Sequence, residues 1–405
     1  MSSGSNSAEN LEPSNQNIGH KIQQQEGNRH VKPMREMISM SAPDIDDLDI
    51  EAVVEVLRSG RLSLGPNIEA FEDAISQYIG VRHAVAVSSG TAALHLIVKA
   101  LGLGPGDEIL VPSFTFAASV NAILYEGATP VFVDIEDETF NLDLPDLRRK
   151  ITPHTKAIMA VDVFGHPVEW DAIEELADQY QLRVIDDSCE AFGAEYKGRK
   201  VGQFGDASAF AFYPNKQMTT GEGGIVATNN SEIARLSRSL ANQGRSEMGT
   251  WLEHERLGYN YRLDEMSAAL GLSQLGRVET FLAKRERVAE MYAECLKGSE
   301  AVQIPRSKPH VRRSWFVYVV TLREDIERDT VARTMEQSGI PVRCYFSPIH
   351  LQPYIRERFG FKGGELPTTE SIAQRTLALP FHNNLTEKQV DRVVESLLGA
   401  VTKMV

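Results

Sequence analysis

Residues 83–133 read HAVAVSSGTAALHLIVKALGLGPGDEILVPSFTFAASVNAILYEGATPVFV. Three short apolar runs, His83–Val87, Glu108–Val111 and Pro130–Val133, are separated by stretches with helical spacing at Thr91–Leu101 and Thr115–Glu126. Strands that alternate with helices predict a mostly parallel sheet covered on both faces. Moving outward, the pattern continues through Lys156–Val161, a helix at Glu169–Tyr180, and Arg183–Ile185, with two further strands at Ser208–Phe212 and Ile225–Thr228. The fold class expected is α/β.

On the N-terminal side, helices are expected at Asp44–Arg58 and Asn67–Tyr78. The acids Asp44, Asp46, Asp47 and Asp49 suit a helix start better than a calcium loop, because the glycine and closing glutamate of an EF-hand are missing. Residues 1–36 hold no Phe, Trp or Tyr and are rich in polar residues, which predicts a mobile tail. On the C-terminal side, one long helical pattern runs from Leu263 to about Leu296. Beyond it a smaller unit is expected, with strands at Ser314–Leu322 and Pro341–Tyr345 and helices at Arg328–Ser338 and Thr386–Leu398. The division read here is a tail (1–36), a large domain (37–285) and a smaller C-terminal domain (286–405).

A formal net charge of −14 argues against nucleic acid or an anionic membrane as the main partner. Cys189, Cys295 and Cys344 are widely spaced, which fits a reducing compartment better than a disulfide scaffold. No basic segment followed by an apolar run opens the chain, and the uncharged run Ile109–Tyr125 is too short and polar to span a bilayer. The expectation is a cytoplasmic protein. The histidines show no paired metal spacing, so no metal site is expected.

Four clusters carry candidate chemistry. Ser88-Ser89-Gly90-Thr91-Ala92 follows a strand and opens a helix, where free amides can bind phosphate; simple N-capping by Ser89 explains the same residues. In Pro112-Ser113-Phe114-Thr115-Phe116 an aromatic ring at a strand end can lie on a flat ligand, or can be core. The strand Arg183–Ile185 runs into Asp186 and Asp187, placing two carboxylates at the sheet's carboxyl edge, although such a doublet can equally cap a helix. Lys216 stands between the aromatic strand Phe210-Ala211-Phe212 and the glycine-rich turn Gly221-Glu222-Gly223-Gly224. A lysine beside a buried sheet can form a Schiff base; most lone lysines are surface residues.

These motifs occur together with SGRLSLGPNIEAFE, YKGRKVGQFGD, LGYNYRLDEMSAALGLSQL, SPIHLQP and ELPTTE. In that combination the chain, over about residues 38 to 400, resembles the DegT/DnrJ/EryC1/StrS family of sugar aminotransferases. The resemblance implies the fold-type-I architecture and the cofactor pyridoxal 5′-phosphate (PLP). Lys216 would attach the cofactor and act as the catalytic base. Asp187 would pair with the pyridine nitrogen, Phe116 would stack on the ring, and Gly90, Thr91 and Ala92 would hold the phosphate.

Asn260 would reach the phosphate of a neighbouring subunit, which implies a homodimer with shared active sites. The reaction implied is ping-pong transfer of an amino group, with glutamate the usual donor, to a nucleotide-linked keto-sugar. Glu190 occupies a position where, in this family, His or Glu tends to accompany amination at C-4 and Gln at C-3, which points to a 4-keto-6-deoxyhexose. Amination of a 3-keto sugar or an inosose, or a non-catalytic PLP-binding regulator, are the alternatives. One departure stands out: many members have a phosphate-bonding serine five residues before the lysine, and this chain has Ala211 there.

Overall fold

The apolar runs read from the sequence become seven strands: β1 (His83–Val87), β2 (Glu108–Pro112), β3 (Thr129–Val133), β4 (Thr155–Val161), β5 (Arg183–Asp187), β6 (Ala207–Ala211) and β7 (Gly224–Thr228). In this computed structural model, which describes residues 37–246 and 253–402, they form one sheet of order β1-β7-β6-β5-β4-β2-β3. The segment 1–36, read above as a tail, lies outside the described residues. β6, β5, β4, β2 and β3 pair in parallel, whereas β7 runs antiparallel to both β6 and β1. β2, β4, β5, β6 and β7 are buried along almost their whole length, which explains why their sequences are continuous apolar runs rather than alternating ones.

Helices cover the sheet. α1 (Asp47–Ser59) begins at Asp46, whose carboxylate accepts the amides of Leu48 (3.0 Å) and Asp49 (3.2 Å), so this acid cluster does start a helix. α2 (Pro66–Ile79) has Gly65 at its N-cap and therefore no capping side chain of its own. Its cap is supplied from far away. The buried Glu265 carboxylate accepts the amides of Gly65 (2.9 Å), Asn67 (3.0 Å) and Ile68 (3.2 Å), placing a negative charge at the positive end of the helix.

α3 (Gly90–Ala100), α4 (Ala117–Tyr125), α5 (Trp170–Tyr180) and α6 (Ser231–Ala241) follow strands of the sheet. The long pattern after Leu263 divides into α7 (Glu265–Leu275) and α8 (Val278–Leu296), interrupted at Gly276. α7 also anchors α1: the buried Asp49 accepts from Ser273 Oγ and Gln274 Nε2, both at 2.6 Å, and is paired by Arg277.

The C-terminal part has its own apolar core, built on the strands β8 (Val302–Gln303), β9 (Tyr318–Leu322) and β10 (Thr376–Leu379) with α9 (Arg328–Gln337) and α10 (Glu387–Thr402). α8 serves both parts: Phe281 and Leu282 belong to a core beside the large sheet, while Val288, Ala289, Tyr292 and Leu296 belong to the C-terminal one. The sequence suggests a strand at Pro341–Tyr345, but the chain makes only an isolated bridge there, Arg343 with Ala378. β10, which the sequence reading missed, takes the place beside β9. The architecture is an α/β fold with a large, mostly parallel sheet flanked by helices and a smaller C-terminal domain.

Candidate active site

The carboxyl ends of β4, β5 and β6 meet the N-terminus of α3 around a cavity of about 400 Å³. Gly90, Thr91, Phe116, Asp187, Glu190 and Lys216 all line it. Of the other residues singled out by sequence, Ala92 does not line the cavity; its amide is taken by the Ser89 hydroxyl at 3.1 Å. That cap leaves the first-turn amides of Gly90 and Thr91 as the ones free to meet an anion. Gly90 is required by space: a Cβ there would lie 2.7 Å from the Ala211 Cβ and 2.8 Å from Cys189 Sγ. Ala211 itself lines the cavity, so the position of the missing serine faces the place the resemblance predicts, but without a hydroxyl.

Asp187 is the last residue of β5, and strand alternation aims it away from its neighbour Asp186. One Asp187 oxygen accepts the Ser119 hydroxyl (2.6 Å) and the other the Cys189 amide (3.2 Å). Because Ser119 gives its only proton to Asp187, Thr115 Oγ1, 2.9 Å away, is the donor in its bond to Ser119. This chain of hydroxyls holds the carboxylate in one orientation. Ser119 follows Thr115 by one helical turn, a spacing visible in PSFTFAAS, yet only the fold reveals that both serve Asp187.

Lys216 sits in the turn after β6, its amide bonded to the Tyr213 carbonyl at 2.9 Å. Its Nζ is 3.8 Å from Glu190 Oε1 and stands 3.8 Å from the centre of the Phe316 ring. The second Glu190 oxygen accepts the Phe164 amide (3.0 Å), and burial raises this carboxyl above the usual glutamate range while Lys216 opposes the shift. Phe316, Tyr345 and Phe346 close the cavity from the C-terminal domain. Sequence reasoning missed all three, because nothing local marks residues so far along the chain as neighbours of Lys216.

Asn260 is exposed and lies outside this cavity, on a strap tied to α6 by the bonds Tyr259 N–H to Leu240 O (2.6 Å) and Tyr261 N–H to Ala241 O (3.0 Å). His350, in the SPIHLQP motif, is a buried tie. Its amide donates to Ser113 Oγ (3.0 Å); because the Glu370 carboxylate can only accept, the neutral ring donates from Nε2 to Glu370 (3.1 Å) and its Nδ1 accepts the Ser113 hydroxyl (2.7 Å). His350, Glu365 and Glu370 are close enough to hold a cation, but both carboxylates already accept loop amides and none of the three lines the cavity.

Below Asp187, Ser188 Oγ lies 2.7 Å from Asp162 and 2.8 Å from Asp186, two fully buried carboxyls. One hydroxyl proton cannot serve both, so one acid stays protonated; burial and mutual repulsion raise the pKa of Asp162, and burial raises that of Asp186 to about 7. A carboxyl raised in the folded state stabilises at low pH and loses that contribution as pH climbs through its folded value. The contribution of this pair to apoprotein stability is therefore expected to fall as pH rises above the ordinary aspartate range near 4, opposed by His166, whose pKa burial lowers to about 3 and whose contribution grows over the same window. Asp162→Asn, whose amide can donate to Ser188, is expected to flatten that decline. Calorimetry of both proteins from acid to neutral pH decides it, and parallel curves would rule out the shared proton.

The cavity fits pyridoxal phosphate: one amine, one oriented carboxylate, a helix end with free amides and the exposed Phe116 ring border the same space. The chain also matches the model of the DegT/DnrJ/EryC1/StrS aminotransferase family over residues 43–398. It is 41% identical to the GDP-perosamine synthase of Caulobacter vibrioides over 370 residues, 89% of this chain and 97% of that protein. Among solved structures, DesV of S. venezuelae is 36% identical with a TM-score of 0.82, covering 87% of this chain and 94% of that one. Helicobacter pylori PseC, an aminotransferase involved in the biosynthesis of pseudoaminic acid, is 30% identical with a TM-score of 0.87, covering 91% and 100%. With the motifs, the sheet and the cavity in agreement with these relatives, the chain belongs to the DegT/DnrJ/EryC1/StrS family and is a pyridoxal-phosphate-dependent aminotransferase.

Proposed function

We propose that the protein transfers the amino group of glutamate to the ketone of a nucleotide-linked 4-keto-6-deoxyhexose, with Lys216 as its catalytic residue. The observation that carries this reading is the meeting of Lys216 and Asp187 in one cavity beside the α3 N-terminus. Bound pyridoxal phosphate supplies an electrophilic carbonyl carbon and an electron-withdrawing ring. The amides of Gly90 and Thr91 bind the phosphate, and Ala92 fixes the cap that orients them. Phe116 covers one face of the ring. Asp187, held by Ser119, keeps a proton on the pyridine nitrogen. Lys216 Nζ would serve as the general base that removes and returns the proton during the transfer. Phe316, Tyr345 and Phe346 shed water from the space where the proton moves.

Glu190, 3.8 Å from Lys216 Nζ, supports amination at C-4. The GDP-perosamine synthases of Caulobacter vibrioides and Escherichia coli O157:H7, 41% and 37% identical, support a GDP-linked sugar. The exposed strap bearing Asn260 supports a homodimer in which each copy completes the other's phosphate site. Residues 37–285 would form the cofactor-binding domain and 286–405 the domain that covers it. No described helix is long and apolar enough to cross a membrane.

Separate half-reactions test the proposal. Glutamate should convert the lysine-bound cofactor to its amine form, seen as a shift of the visible absorption. A GDP-linked 4-keto-6-deoxyhexose should restore the original band. Restoration only by a 3-keto sugar or an inosose moves the substrate assignment, and no response to any amino acid overturns catalysis in favour of a binding protein.

A further inference from the structure

Arg285, on α8, is 2% exposed and belongs to none of the motifs above. Burying a guanidinium is unfavourable unless its N–H groups find acceptors. Among the described residues it makes no ion pair; burial lowers its pKa to about 10, opposed by the charge of Asp44, so it remains charged. Its partners are four backbone carbonyls. Nη1 donates to Trp315 O (3.0 Å) and Phe316 O (3.1 Å); Nη2 donates to Lys216 O (2.7 Å) and Asn215 O (3.4 Å). Nε is buried without an acceptor, so the two ends of the fork make every bond.

These carbonyls come in pairs from two segments of opposite parts of the fold. One segment carries Lys216; the other carries Phe316, whose ring centre is 3.8 Å from Lys216 Nζ. Trp315 holds a left-handed backbone (φ 49°), which a residue with a side chain keeps only when its surroundings impose it. Arg285 and its neighbour Glu286, which accepts the Trp315 indole N–H at 2.8 Å, supply that constraint.

We propose that Arg285 is a positioning residue that locks the backbone of Lys216 to the backbone of Trp315 and Phe316, so that the amine and the ring beside it move as one body. The inference rests on the reading of Lys216 as the reactive amine. Lysine cannot replace the planar fork, since one ammonium does not span two pairs of carbonyls.

The test is Arg285→Lys in the holoenzyme, alongside wild-type protein whose reduced cofactor has been mapped to Lys216. Failure of that mapping counts against the proposed function and is separate from the result for Arg285. With mapping successful, the variant should bind the cofactor but show a changed visible circular dichroism per bound cofactor, which reports ring orientation. Its kcat should fall about 10- to 100-fold while the KM for glutamate stays within about threefold. Wild-type circular dichroism and kcat per folded molecule would overturn the proposal, as would a loss of stability alone. If the variant does not fold, hydrogen exchange of the wild-type holoenzyme decides. Residues 213–217 and 315–317 should open with a common free energy, and independent opening overturns the lock.

Discussion

Lys216→Ala is expected to lower kcat by at least about 10,000-fold, through loss of both an activated amine and a general base. The effect should be chemical and not structural. The backbone bonds that hold the turn, Lys216 N–H to Tyr213 O and Lys216 O to Arg285, involve no side-chain atom of Lys216 and survive the substitution. What disappears is an amine 3.8 Å from Glu190 and 3.8 Å from the Phe316 ring. Two measurements check this: turnover with glutamate and keto-sugar, and borohydride trapping followed by peptide mapping. Turnover within tenfold of wild type, or a label retained on another lysine, would remove Lys216 from its role.

The second large effect is expected at Asp187. Asp187→Asn preserves shape and can still accept the Ser119 hydroxyl, but it carries no charge to hold a proton on a pyridine nitrogen. The loss of one preorganised electrostatic contact in a dry site scales as about 100- to 1,000-fold in kcat. Lys216 remains, so the variant should still capture the cofactor. Capture without turnover separates the two residues. An Asp187→Asn enzyme with normal kcat would show that the ring needs no carboxylate here, and a variant unable to bind cofactor at all would assign Asp187 to binding rather than chemistry.

The large sheet was legible because each strand is a short apolar run closed by polar or glycine-rich turns, and burial on both faces removes any alternation that would confuse the pattern. Direction was not legible. Nothing in Gly224–Thr228 says that this strand enters antiparallel between β1 and β6, since that depends on how the connection from β6 returns. In the C-terminal domain Pro341–Tyr345 has strand composition, yet the strand pairing goes to Thr376–Leu379, a choice made by tertiary packing.

The site divides in the same way. Gly90, Thr91, Phe116, Asp187, Glu190 and Lys216 announce themselves because each ends a strand or lies in the few residues that follow one, where an α/β fold opens to ligands. The groups that orient them do not: Ser119 looks like an ordinary helix residue, Arg285 like any surface arginine, and Phe316 like core. Their work depends on contacts between distant parts of the chain, which composition and periodicity do not encode.

Such contacts also order events during synthesis. The start of α2 is capped by Glu265, 200 residues later in the chain, and the buried Asp49 of α1 is hydrogen-bonded by Ser273 and Gln274 and neutralised by Arg277. A ribosome-bound chain that stops short of α7 thus has one helix start without its acceptor and one carboxylate without its counter-charge. α1 and α2 therefore gain these contacts only once α7 and Arg277 have emerged to dock against them. Nascent chains arrested before residue 265 are consequently expected to remain protease-sensitive within α1 and α2, an outcome that limited proteolysis of arrested chains checks.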